Sequence, residues 1–131
     1  MASSRPTVMI VEDEPDHIHI LTEILTRAGY AVVTAFGGED AFRKVKARPP
    51  EIVLTDLAMP IANGVQLIDA LKSDPETERI PVIAVTAHIW DGIARAAKTA
   101  GCNGFVSKPF KKEDLLAELA KHIAAPPEVK A

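Results

Sequence analysis

The hydrophobic positions fall into two kinds of segment that alternate along the chain. Thr7 to Val11 (Thr-Val-Met-Ile-Val) is a short, mostly apolar, strand-like run that stops in an acidic cluster, Glu12, Asp13 and Glu14, followed by Pro15 and Asp16. Ile18, Leu21, Leu25 and Ala28 then recur at helical spacing, with Gly29 placed as a helix C-cap. Ala31 to Ala35 predicts a second strand, broken by Gly37-Gly38; Ala41, Phe42 and Val45 mark a short helix ending before Pro49-Pro50. Ile52 to Thr55 predicts a third strand that ends at Asp56, followed by a loop from Leu57 to Asn63 containing Pro60. Gly64 opens a helix with Val65, Ile68 and Leu71 on one face. Pro81 to Thr86 predicts a fourth strand, with proline tolerated at its first position. An alanine-rich helix from about Asp91 to Ala100 closes at Gly101, and Gly104 to Ser107 forms a short fifth strand. Glu113 and Asp114 begin the last helix, where acids suit the dipole, and Leu115, Leu116, Leu119, Ala120 and Ile123 are its apolar stripe.

Strands and helices thus alternate five times, and the strands are apolar throughout, so helices should cover both faces of the sheet. That pattern predicts a parallel, doubly wound α/β domain with right-handed crossovers. Composition agrees: 131 residues, 47% hydrophobic and 25% charged, describe one ordinary globular domain. A net charge of −3 gives no reason to expect direct nucleic-acid binding. Cys102 is the only cysteine, which excludes an intrachain disulfide and a cysteine-based zinc site. No apolar stretch approaches the roughly 20 residues of a membrane span, and Met1 to Pro6 lacks the apolar core of a signal peptide. A cytoplasmic location with no membrane association is expected.

In open parallel sheets, ligands bind beyond the carboxyl ends of the strands. Here those ends carry Glu12 and Asp13, Asp56, Thr86 and Lys108. Clustered carboxylates repel and call for a cation, and hard oxygen ligands favour Mg²⁺. A lysine and a hydroxyl across the same edge would hold phosphoryl oxygens. Phosphoryl transfer is largely positioning and charge neutralisation, so this set suits placing a phosphoryl group on a carboxylate.

Four motifs in order, Val11-Glu12-Asp13, Asp56-Leu57-Ala58-Met59-Pro60 with Gly64, Val85-Thr86-Ala87, and Ser107-Lys108-Pro109-Phe110, make the chain resemble a response-regulator receiver domain of two-component signalling. The resemblance spans about residues 7–124, leaving residues 1–6 as an N-terminal extension and 125–131 as a loose tail. It implies a flavodoxin-like (βα)5 sandwich with strand order 2-1-3-4-5. It implies Asp56 as phosphoacceptor. The metal ligands would be Asp13, Asp56 and the backbone carbonyl of Ala58, with Glu12 reaching the ion through water. The ion would be Mg²⁺ or Mn²⁺. Thr86, the backbone amide of Ala87 and Lys108 would meet the phosphoryl group, Phe105 would be the aromatic switch, and the bond to Pro109 would be cis. A sensor histidine kinase or histidine phosphotransfer protein would supply the phosphoryl group. A downstream protein would read the face of the fourth helix, fifth strand and fifth helix, with the domain a monomer or a phosphorylation-dependent dimer. The domain would catalyse only its own phosphorylation and dephosphorylation, and would not be a turnover enzyme.

The departures are specific. Glu12 replaces the commoner aspartate, Ala58 and His88 occupy positions that tune dephosphorylation, and Phe105 lacks the hydroxyl of a tyrosine. Trp90, with Ile89 beside it, is either core packing or a partner contact. His17, His19, His88 and His122 read as ordinary polar positions, and Cys102 as a small filler. An aspartyl-phosphate phosphatase of the haloacid-dehalogenase kind needs a general acid two residues after its nucleophile, where this chain has Ala58. A flavin site is opposed by the acidic loop after the first strand. An unphosphorylated scaffold is the remaining rival. If the chain is complete, its output is a protein contact made by the receiver itself; if it is part of a hybrid kinase or larger regulator, it continues at Pro126-Pro127.

Overall fold

The computed structural model describes residues 5–57, 64–87, 92–124 and 126. The chain order is β1 (Thr7–Val11), α1 (Pro15–Arg27), β2 (Ala31–Ala35), α2 (Gly38–Ala47), β3 (Ile52–Thr55), α3 (Gly64–Lys72), β4 (Val82–Thr86), α4 (Gly92–Ala100), β5 (Gly104–Ser107) and α5 (Lys112–Ala120). All four strand pairings are parallel, in the order β2-β1-β3-β4-β5. This is the flavodoxin-like arrangement that the receiver resemblance implies.

Successive side chains of a strand point to opposite faces, and here both faces are dry. Val8 and Ile10 of β1 pack with Leu21 and Leu25 of α1 and Leu115 and Leu119 of α5. Met9 and Val11 pack with Ala41 and Val45 of α2, Leu67, Ile68 and Leu71 of α3, and Ala97 of α4. The sheet is thus held between α1 and α5 on one side and α2, α3 and α4 on the other. Each Leu or Ile so buried contributes roughly 1.5–3 kcal/mol over its exposed state.

Some sequence expectations shift. The apolar face of α3 is Leu67, Ile68 and Leu71, with Val65 only partly buried. On α5, Ala120 is exposed, because the stripe narrows to Leu115 and Leu119 as the helix ends. Regular pairing in β4 starts at Val82, although the Pro81 carbonyl accepts from Val53 N at 3.0 Å. The fully covered strands are the inner ones. On the edge strand β2, Val33 is exposed, and Phe36 just beyond it is 64% exposed. There Lys44 Nζ donates to the Thr34 carbonyl at 2.8 Å and lies 5.9 Å from the centre of the Phe36 ring.

Gly64 fixes how closely α3 approaches the end of β3. A Cβ at this position would run into the Asp56 carbonyl oxygen and lie 2.9 Å from Leu57 Cα. Gly64 N also donates to the Leu57 carbonyl at 3.2 Å. No described helix is long and apolar enough to cross a membrane.

Candidate functional site

Because the strands are parallel, their carboxyl ends share one edge, and the register lines up the polar residues there. Val11 pairs with Thr55, so the residues that follow, Glu12 and Asp56, leave adjacent strands together, and Asp56 N donates to the Val11 carbonyl at 3.1 Å. Thr86 pairs with Ser107, and Lys108 N donates to the Thr86 carbonyl at 2.9 Å. The Lys108–Pro109 peptide is cis.

The Lys108 ammonium crosses the edge from β5 to the ends of β1 and β3. Its Nζ lies 3.1 Å from Glu12 Oε1 and 3.5 Å from Asp56 Oδ2. Glu12 is only 2% exposed. A carboxylate this buried needs compensation, and it has both the lysine and the Glu14 N–H, which donates to Oε2 at 3.2 Å. Asp13 is exposed at the rim, Asp56 half-buried, and Thr86 fully buried. Thr55 donates its hydroxyl to the Asp56 carbonyl at 2.9 Å.

The structure therefore brings Glu12, Asp56 and Lys108 into one group, with Thr86 on the neighbouring strand. Phe105 is partly buried against the cluster under α3 and α4. Ala87 is exposed at the end of β4. Ala58, His88, Ile89 and Trp90, and the tail apart from Pro126, lie outside the described residues. Cys102 is partly buried; its Sγ donates to the Gly104 carbonyl at 3.1 Å, and burial pushes its thiol pKa up.

The sequence reading missed His17. Its Nδ1 lies 3.0 Å from Lys108 Nζ, across 91 residues of chain. Only its place was legible, in the first turn of the helix that follows the acidic cluster, where a side chain leans back toward the strand ends.

Among the described residues no three His, Cys, Asp or Glu side chains form a group able to hold an ion. Mg²⁺ keeps several waters and takes one or two carboxylates plus phosphate. Asp13 and Asp56 offer such oxygens, whereas the Glu12 carboxylate is turned to Lys108 and the Glu14 amide.

A fold of this order, with acids and a lysine on its carboxyl edge, defines a receiver, and the comparisons agree. The family model for the response regulator receiver domain matches residues 8–120, and the chain belongs to that family. It is 33% identical over 116 residues to hybrid signal transduction histidine kinase D of Dictyostelium discoideum, covering 88% of this chain but 7% of that kinase. It is 32% identical over 104 residues to the polar-differentiation response regulator DivK of Brucella ovis, covering 79% of this chain and 85% of that regulator. Among solved structures, the receiver domain of sensor histidine kinase PA1611 from Pseudomonas aeruginosa, which has magnesium coordinated in its active-site cleft, superposes with TM-score 0.87 at 26% identity. That match covers 93% of this chain and all of the other. Vibrio cholerae chemotaxis protein CheY4 gives TM-score 0.86 at 25% identity, over 92% of this chain and 100% of that one. The protein is thus a receiver domain of the kind carried by response regulators and sensor kinases.

Proposed function

We propose that residues 7–124 accept a phosphoryl group onto Asp56 from a phosphohistidine donor and relay the change to a protein partner. The observation that carries this reading is the Lys108 ammonium between the Glu12 and Asp56 carboxylates on the carboxyl edge of the sheet. An Asp56 carboxylate oxygen attacks phosphorus, the bond from phosphorus to the donor imidazole nitrogen breaks, and the imidazole keeps the electron pair. Lys108 meets the charge on the phosphoryl oxygens, the Thr86 hydroxyl and Ala87 amide take further oxygens, and Phe105 repacks as Thr86 moves. Asp13, Asp56 and the Ala58 carbonyl would hold a Mg²⁺ or Mn²⁺ ion, with Glu12 reaching it through water, and the ion would supply charge neutralisation. Water hydrolyses the acyl phosphate and resets the domain, so the chain modifies itself rather than turning over a substrate.

The donor is a sensor histidine kinase or a histidine phosphotransfer protein, acting in the cytoplasm. An apolar groove of about 440 Å³ beside Lys108, lined by Ile20, Leu21, Ile24 and Phe110, offers such a donor a surface. The downstream protein reads the face of α4, β5 and α5, and Trp90 and Ile89, which precede α4 in the sequence, are candidate contacts. Incubation with acetyl phosphate and Mg²⁺, followed by intact mass measurement, tests the reading. One added phosphoryl mass on the wild type and none on Asp56→Asn is expected. No gain on the wild type, or an equal gain on Asp56→Asn, overturns it.

A further inference from the structure

We propose that His17 is a positioning residue for Lys108: together with Glu12 it fixes the ammonium so that its remaining N–H faces Asp56. The inference rests on the reading of Asp56 as phosphoacceptor and adds a residue to that site.

An ammonium has three N–H donors and no acceptor. Lys108 Nζ has three acceptors around it: His17 Nδ1 at 3.0 Å, Glu12 Oε1 at 3.1 Å and Asp56 Oδ2 at 3.5 Å. The first two lie at full hydrogen-bond distance, and the third at the outer limit. Two short bonds therefore hold two of the three protons, and the tetrahedral geometry of nitrogen aims the third at the phosphoacceptor. A phosphoryl group on Asp56 would put oxygens into the space left by that long third contact.

The roles within the group follow from the donors. Lysine can only donate, so the nitrogen facing it carries a lone pair, and the ring proton of His17 sits on Nε2. The alternative, an Nδ1–H donating to Glu12, fits worse, because that separation is 3.6 Å. The two holders differ in kind. Glu12 is buried and charged and cannot leave Lys108 without stranding its charge. His17 in this tautomer offers an acceptor on a half-exposed side chain, anchored in the first turn of α1 just after Pro15. It supplies direction without adding to the negative charge of an edge that must receive a phosphoryl anion.

The test has two readouts. The first is the ¹⁵N spectrum of the imidazoles of the free protein at about pH 8, where an ordinary histidine is neutral. His17 is expected to be fixed as the Nε2–H tautomer, with an Nδ1 signal that shifts in Lys108→Met. A mixed tautomer, or an Nδ1 signal indifferent to Lys108→Met, overturns the proposal. The second is the affinity for beryllofluoride with Mg²⁺, followed through amide shifts. His17→Ala is expected to weaken binding by about three- to tenfold, less than a full hydrogen bond to a charged group because water replaces the ring. His17→Asn should restore most of it, since its Oδ1 stands where Nδ1 stood. Unchanged binding in His17→Ala, or failure of His17→Asn to rescue a folded protein, overturns the proposal. A wild type that takes up no beryllofluoride counts against Asp56 as phosphoacceptor; the tautomer in the free protein still decides the bond between His17 and Lys108.

Discussion

Gly64 and Gly92 are the first residues of two helices of equal length, α3 and α4, and replacing each by alanine should have opposite effects. In both, alanine limits the unfolded chain, a gain of about 0.4–1 kcal/mol where the native backbone accepts it. At Gly92 a Cβ meets nothing within 4 Å, so that gain should appear in full. At Gly64 the new Cβ runs into the Asp56 carbonyl oxygen and reaches 2.9 Å from Leu57 Cα. Both obstacles are main chain, which cannot rotate away as a side-chain tip would. Overpacking costs about 1–3 kcal/mol, and occasionally more, when neighbours must shift. With rigid neighbours the upper end applies, leaving about 2–3 kcal/mol net destabilisation and a fall in Tm of about 6–15 °C. Urea unfolding of the two single variants measures both. Relief of the clash moves the backbone at Asp56, so folded Gly64→Ala should also accumulate less acyl phosphate, while Gly92→Ala keeps its level. Equal stability changes in the two variants, or a stabilised Gly64→Ala, would refute the close approach of α3 to β3.

Two further outcomes follow from the site and one from the core beside β5. Lys108→Met should cost about 2 kcal/mol, less than the 3–5 for a fully buried pair because the lysine retains some exposure, and adding Glu12→Gln should recover part of it; urea titrations of the single and double variants check this. Mg²⁺ at about ten times its Kd should stabilise the wild type by about 1.4 kcal/mol and Asp13→Asn by much less, and a chelator should abolish both the shift and labelling by acetyl phosphate. Burial and its raised thiol pKa should make Cys102 alkylate far more slowly in the native protein at pH 8 than in urea, as followed by mass; equal rates would contradict the burial.

The layout of the fold was legible because each inner strand is a continuous apolar run, and each run has a face for either layer of helices. Val8 and Ile10 turn one way while Met9 and Val11 turn the other, which an uninterrupted run of four apolar residues already implies. Legibility failed where burial depends on position in the sheet rather than on residue type. Val33 sits in as good an apolar run as Val53, but β2 is an edge, so Val33 is exposed and Val53 is not. At the site, Asp56 and Lys108 stood out because each ends a strand on the same edge. His17 did not, because its bond to Lys108 joins the first helix to the last strand, and no local pattern carries a contact of that range. The inward turn of Glu12 was hidden for a related reason: its orientation answers to Lys108, 96 residues away.

The α2 lysine that caps the outer strand bears on how this domain meets its neighbours. An outer β-strand with bare carbonyls and exposed Val33 and Phe36 is a template on which a foreign strand could pair. Lys44 occupies the Thr34 carbonyl, and its charge lies near the Phe36 ring. An incoming backbone would have to displace that bond and desolvate the ammonium. Receivers occur both as most of a small regulator and as a small fraction of a long kinase, and a guarded outer strand suits either setting.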